Sequence, residues 1–263
     1  MATTVSFGRR LRLQSLYRHD PAGLLVVPLD HPVTAGPIVH GTGMDRLVGQ
    51  LAENGADAVV LHKGVLHRLQ SRWFRSLALI VQLSAGTRIA PDPDAKYLVA
   101  SVEEALRAGA DGVSVHVNLG SSTEGRQIAD LAAVAEACDR WGVPLLAMVY
   151  ARGARLAEHR AADLLAHGAA VAADLGADLV KSAMPADPVM MAEVARACPI
   201  PMLAAGGAVD ADPAAALRRL AGALRAGAGG IAAGRLVFTA DDPGLMVRRL
   251  AALVHDRVPV STR

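Results

Sequence analysis

Lysine is nearly missing from this chain: of 27 lysine and arginine residues only Lys63, Lys96 and Lys181 are lysine. Guanidinium neither deprotonates nor forms imines, so each retained lysine becomes a candidate for chemistry that arginine cannot perform. Aromatic residues are equally scarce at 3%, while 52% of the chain is apolar, which suits aliphatic strands and Ala-rich helices and gives no sign of disorder. Net charge is +2, too small for the basic field of a nucleic-acid partner. No apolar run reaches transmembrane length, which speaks against a membrane partner. There are two cysteines, Cys138 and Cys198, without metal or redox spacing. These absences describe a soluble, cytoplasmic protein.

What is present is alternation. Short apolar runs read as strands at Leu24–Leu29, Ala58–Leu61, Leu79–Leu83, Gly112–Val117, Pro144–Val149, Asp178–Val180, Pro201–Ala204 and Gly229–Ala232. Continuous apolar strands are those of parallel sheets covered on both faces. Helical periodicity fills the gaps, as at Val102–Ala108, Ile128–Arg140, Ala161–Leu175, Pro213–Ala226 and Pro243–Val254. An internal repeat precedes the even strands: Asn54-Gly-Ala-Asp57, Ala108-Gly-Ala-Asp111, Leu175-Gly-Ala-Asp178 and the degraded Ala226-Gly-Ala-Gly229. Each glycine falls where a helix ends in a left-handed turn. Eight units without a linker predict one α/β domain over residues 1–263, a (β/α)8 TIM barrel. A doubly wound open sheet is the alternative, but it gives no reason for eight regular units, and no GxGxxG follows the first strand.

Chemistry in such barrels gathers where strands run into the following loops. Those points hold Asp30 and His31, His62 and Lys63, His116 and Asn118, Tyr150, Lys181, Gly206 and Gly207, and Gly234 and Arg235. A lysine entering the barrel mouth loses hydration, which favours the neutral amine that attacks a carbonyl. A structural ion pair or a phosphate ligand is the alternative for Lys181. Tyr150, ending the neighbouring strand, could shuttle protons at the Lys181 nitrogen, or simply pack in the core. Asp30 could orient or deprotonate a substrate hydroxyl, or hold a loop. The bare amides of Gly206, Gly207 and Gly234 with the charge of Arg235, on the last two strands, suit a phosphate cradle. His31, His62 and His116 could hold zinc, but they lack HxH or HxxH spacing, so no metal is expected. Lys63 is placed to bind an anionic part of a substrate or to make a rim salt bridge. Lys96, in a polar loop, reads as a leftover lysine.

Five segments carry a resemblance: Val27-Pro-Leu-Asp-His-Pro-Val-Thr-Ala-Gly-Pro-Ile38, Leu61-His-Lys-Gly64, Val115-His-Val-Asn-Leu-Gly120, Leu146-Ala-Met-Val-Tyr-Ala-Arg152 and Asp178-Leu-Val-Lys181. In order and over nearly the whole chain, they resemble the archaeal-type class I aldolases. That family includes archaeal fructose-bisphosphate aldolases and synthases that build amino-sugar acids from aspartate semialdehyde. The resemblance implies that Lys181 is the Schiff-base lysine, Tyr150 the proton carrier and Asp30 the catalytic aspartate. It likewise implies a phosphate site at Gly206, Gly207, Gly234 and Arg235, no metal or other cofactor, and a homo-oligomer, often a decamer. Where the fructose-bisphosphate members carry tryptophan two residues before the tyrosine, this chain has Met148. That departure, with Leu61-His-Lys-Gly64, draws it toward the synthases. The expected reaction joins a ketone phosphate, dihydroxyacetone phosphate or 6-deoxy-5-ketofructose 1-phosphate, to an aldehyde, with L-aspartate 4-semialdehyde favoured. His31, His62, Lys63, His116, Asn118 and Arg152 would contact substrate, with Lys63 and His62 facing the acceptor carboxylate. The rivals are plain fructose-bisphosphate cleavage and a sugar-phosphate-binding or thiolase-like barrel without lyase activity.

Overall fold

A computed structural model describes residues 6–39, 43–153, 156, 160–185, 187–207 and 212–256. Eight parallel strands close into a barrel: β1 Leu24–Pro28, β2 Ala58–Leu61, β3 Ala78–Gln82, β4 Gly112–Leu119, β5 Leu145–Ala151, β6 Leu179–Ser182, β7 Met202–Ala205 and β8 Gly230–Ala232. Each strand pairs with its sequence neighbours, and β1 closes the ring on β8 with Leu24 opposite Gly230. Helices lie between the strands on the outside, among them Glu124–Trp141, Ala161–Asp174, Pro213–Arg225 and Pro243–His255. No helix among the described residues is long and apolar enough to cross a membrane.

Alternation along each strand divides the core in two. One set of side chains faces the helices. The other set, with Leu24, Val26, Val60, Ile80, Leu146, Met148, Leu179 and Leu203, fills the barrel axis. The floor is sealed by the helix Phe7–Leu16, capped by Ser6, which packs Leu13, Leu16 and Tyr17 against that inner set. Burying Leu16 this way contributes about 2 kcal/mol. Arg9 on the same helix grips the carboxylate of Asp178 through two hydrogen bonds of 2.8 and 2.7 Å.

The Gly-Ala-Asp repeat has a mechanical meaning. Gly55, Gly109, Gly176 and Gly227 all have φ between 89° and 110°, the left-handed turn expected of them. Each aspartate then clamps the preceding odd strand at two points. Asp57 accepts from Leu25 N at 2.6 Å and donates its own N–H to Leu25 O at 3.0 Å. Asp111 does the same with Leu79, at 2.9 and 2.9 Å, and Asp178 with Leu145, at 2.7 and 2.9 Å. The fourth unit has Gly229 and therefore no carboxylate. At the closing seam, a Cβ on Gly230 would overlap the carbonyl oxygen of Leu24, and one on Gly234 that of Pro28.

Asp57 is also the meeting point of both ends of the described chain. His19 Nδ1 lies 2.6 Å from one carboxylate oxygen and His255 Nε2 2.9 Å from the other. Among the described residues, this is the group of side chains close enough to hold a metal ion. It sits at the floor, at the opposite end of the barrel from Lys181, and its spacings are those of hydrogen bonds.

Candidate active site at the barrel mouth

Lys181 lies within β6, not beyond it: the ladder pairs Met148 with Lys181 and Val180 with Met202. Register puts it one inward position above Leu179, on the axis, where it is 8% exposed. Its Nζ rests 3.9 Å from the sulfur of Met148. A bulkier ring at Met148 would press on that amine directly. Ser182, pointing outward, ties β6 to Val149 O at 2.8 Å.

On β4 and β5 the ladder runs farther than the apolar runs do, pairing His116 with Met148, Asn118 with Tyr150 and Leu119 with Ala151. The His116 and Tyr150 rings stand 5.1 Å apart, and the Arg152 guanidinium lies 5.2 Å over the Tyr150 ring. His116 Nε2 is 2.9 Å from Asn118 Oδ1, and its backbone N–H donates to Ser84 Oγ at 2.8 Å. Burial first, then the charges of Lys96 and Arg152, push the His116 pKa down to about 3, so the imidazole is neutral. A neutral ring with Nε2–H donating to Asn118 leaves its other nitrogen as an acceptor.

Asp30 precedes the short helix His31–Ala35 and makes no side-chain cap to it, so its carboxylate is not tied down there. His31 Nδ1 lies 3.6 Å from Asp30 Oδ1 and, though buried, has no hydrogen-bond partner among the described residues. The His31 ring meets Phe238 edge-on at 5.0 Å. Burial chiefly lowers the pKa of both His31 and His62, while the nearby charge of Asp30 opposes it. His31 is also close enough to feel Lys181 and Arg235, so these groups converge on one space.

The glycines after β7 and β8 are adjacent, but they are not equivalent. Gly206 N already donates to Ala232 O at 3.1 Å, which takes that amide out of a phosphate cradle. Gly207 is exposed, with φ of 80°, and a Cβ there would come 3.1 Å from Arg219. Arg219, a residue the sequence reading passed over, donates to Gly206 O at 3.0 Å. Gly234 precedes the short helix Arg235–Phe238, whose first residue carries an exposed guanidinium.

Of the other two lysines, Lys63 makes the rim salt bridge that was one of its two expected roles, and Lys96 sits otherwise than the sequence suggests. Lys63 points away to Glu104, at 2.8 Å, so its charge is already paired. Lys96 is not a leftover on a polar loop: it is 4% exposed, under a small antiparallel pair formed by Ser84–Ala85 with Tyr97–Leu98. A cavity of about 1030 Å³ opens beside the mouth between Leu29, Val33, Met44, His62, Val65 and Val99. It reaches the site only at its edge, through His62, Lys63 and Ala85, and is lined by neither Lys181 nor Tyr150.

Comparison with known proteins matches this arrangement to enzymes. A family model for DeoC/LacD family aldolases covers residues 24–240. The chain is 54% identical to a 2-amino-4,5-dihydroxy-6-oxo-7-(phosphonooxy)heptanoate synthase of Streptomyces griseus over 97% of this chain and 93% of that protein. It is 40% identical to a 2-amino-3,7-dideoxy-D-threo-hept-6-ulosonate synthase of Halobacterium salinarum over 95% and 92% of the two chains. Among solved structures it is similar to an archaeal fructose-1,6-bisphosphate aldolase whose catalytic lysine is covalently bound to the carbinolamine intermediate of the substrate. The TM-score is 0.81 and the identity 26%, over 93% of this chain and 99% of that one.

Proposed function

The chain belongs to the DeoC/LacD family of aldolases, and from that premise we propose that it joins dihydroxyacetone phosphate to L-aspartate 4-semialdehyde through an imine on Lys181. It is an aldol-type synthase. The observation that carries the imine assignment is the position of Lys181: a buried amine on the axis of the mouth, beneath a rim that holds Tyr150, Asp30 and neutral histidines. The substrates follow from chemistry. A 4,5-dihydroxy-6-oxo chain is a β-hydroxy ketone, and undoing its aldol bond between carbons 4 and 5 yields a four-carbon amino-acid aldehyde and a three-carbon ketone phosphate. The relative that keeps that phosphate is the 54% identical one, which favours dihydroxyacetone phosphate over 6-deoxy-5-ketofructose 1-phosphate as donor. Fructose-bisphosphate cleavage is the weaker reading, since that likeness is 26% and Met148 stands at the tryptophan position.

In the proposed sequence the Lys181 amine adds to the donor ketone and expels water. The protonated imine then draws electrons from the adjacent carbon, which gives up a proton to form an enamine. Tyr150 is the group we assign to that proton, and Asp30 orients the donor's free hydroxyl. The enamine carbon attacks the aldehyde, and water releases the product and restores the amine. Gly207, Gly234 and Arg235, with His31 facing them, would hold the phosphate, while His62, His116 and Asn118 line the remaining wall. The electron sink is the imine, so no metal or other cofactor is required. A single domain over residues 1–263, cytoplasmic and assembled as a homo-oligomer up to a decamer, belongs to the same proposal. Its mass in solution tests that last part.

The experiment is borohydride reduction in the presence of dihydroxyacetone phosphate. The expected outcome is inactivation with one reduced donor attached at Lys181 and insensitivity to a chelator. A label on Lys63 or Lys96, the absence of any adduct, or activity lost to chelation and restored by zinc would each defeat the assignment.

A further inference from the structure

The reaction above uses neither Lys63, which is paired with Glu104, nor Lys96, and Lys96 is held with more structure than an idle side chain needs. Its loop is anchored to the top of β4: Asn118 Nδ2 and Gln127 Nε2 both donate to Asp94 O, at 2.7 and 3.1 Å. Asp92 folds the loop back by accepting from the backbone of Asp94 and Ala95, at 2.9 and 3.2 Å. Gly86 passes so close that a Cβ there would reach 3.0 Å from Lys96 Nζ. The ammonium itself donates to two backbone carbonyls, Pro93 O at 3.0 Å and Ala95 O at 3.3 Å. Neither carries charge, and no carboxylate among the described residues pairs with it.

A second cation stands beside it. Arg152 lies over Tyr150 and reaches Asp94 Oδ1 at 3.3 Å, and its charge is the strongest of those acting on Lys96. Both cations act on His116, which faces Tyr150. Asp94, paired with Arg152, and Asp92 both act on Lys96, yet neither carboxylate pairs with its ammonium, so an incoming anion meets a buried cation held by neutral carbonyls alone. The donor phosphate is provided for elsewhere, by the loops after β7 and β8, near His31 and Arg235. Lys63 is already paired with Glu104. The remaining anionic group in the proposed chemistry is the carboxylate of the aldehyde acceptor.

We propose that Lys96 and Arg152 form an anion subsite that receives this carboxylate and so directs the aldehyde toward the enamine on Lys181. The inference rests on the aldol reading given above and deepens it by naming what selects the acceptor.

The test compares two acceptors of equal length, 4-oxobutanoate and butanal, with dihydroxyacetone phosphate as donor. The measured quantity is the ratio of their kcat/KM values in the parent, Lys96→Met, Lys96→Arg and Arg152→Met. Loss of a charged hydrogen bond costs about tenfold or more in binding, so the ratio should fall by at least that in both methionine variants. The fall should appear in KM for 4-oxobutanoate, with Lys96→Arg retaining most of the preference. If Lys96→Met does not fold, Arg152→Met decides, since that side chain is half exposed and not part of the core. An unchanged ratio, or a defect confined to the donor's KM, overturns the subsite. If the parent itself gives no borohydride adduct, the aldol reading falls and this inference with it. An intact adduct with an unchanged ratio removes the inference alone.

Discussion

Arg152 lies over the ring of Tyr150 with its guanidinium carbon 5.2 Å from the ring centre, so the ring is clamped by a contact that does not involve the hydroxyl. Tyr150→Phe therefore keeps the stacking and removes only the group assigned to proton transfer. The variant should fold, still form imine with the donor, and turn over about a hundredfold or more slowly. Exchange of the donor α-proton, followed by NMR in deuterated buffer, should suffer at least as much. Parent-like turnover would return Tyr150 to the core and leave the proton to Asp30 or water.

Removing the guanidinium at the last loop tests the phosphate assignment. Arg235→Ala should raise the KM for dihydroxyacetone phosphate about tenfold, and that for unphosphorylated dihydroxyacetone much less. Gly207→Val should also weaken donor binding, because φ is 80° there and a side chain would crowd Arg219. If neither change moves the donor's KM, the phosphate lies elsewhere.

The neutral His116 imposes a pH dependence on stability. Its folded pKa, about 3, lies below the ordinary value of 6.5. Between these values the unfolded chain binds a proton there that the folded chain does not. Stability is therefore full above 6.5 and falls as the pH drops toward 3. His116→Gln should flatten the acid limb of the stability profile by up to about 1.4 kcal/mol per pH unit. Urea midpoints measured between pH 7 and 5 would show it, and parallel slopes for the two proteins would refute it.

At the floor, Asp57 accepts from Leu25 N and contacts both His19 and His255. Asparagine there turns one acceptor into a donor facing a donor. Asp57→Asn should cost about 1–3 kcal/mol, and Asp111→Asn, where the strand amide is the recorded partner, should cost less. Chemical denaturation of the two variants side by side gives the order.

The barrel was legible because the two signals that announce it are local. Apolar runs mark the strands, and a left-handed glycine followed by aspartate marks the return from helix to strand. What the runs understated were the polar ends. β4 and β5 continue through Asn118 and Tyr150, and β6 through Lys181, because backbone pairing continues where hydrophobicity stops. The rim residues Asp30, His31, His116, Tyr150 and Lys181 were legible together for the same reason: strand ends in a barrel must converge. The burial of Lys96 was not legible because Pro91-Asp-Pro-Asp-Ala-Lys96 has the composition of a solvated loop. Its burial comes from that loop folding back over β4, a tertiary event without periodicity to betray it. The rarity of lysine was the available signal. The engagement of Gly206 N with Ala232 and of Lys63 with Glu104 was likewise invisible without coordinates.

The glycine seam between β1 and β8 sets a timetable for biosynthesis. β1 is made some two hundred residues before the strand that covers its outer edge, which starts only at Gly230. Until that point the emerging sheet ends in two open edges, β1 and β7, whose free amides and carbonyls can pair with any neighbouring chain. Chains cut short before Gly230 should collect in aggregates, and slower translation should tax chaperones rather than relieve them. Once Gly230 and Gly234 slide under the carbonyls of Leu24 and Pro28, both edges vanish in one step.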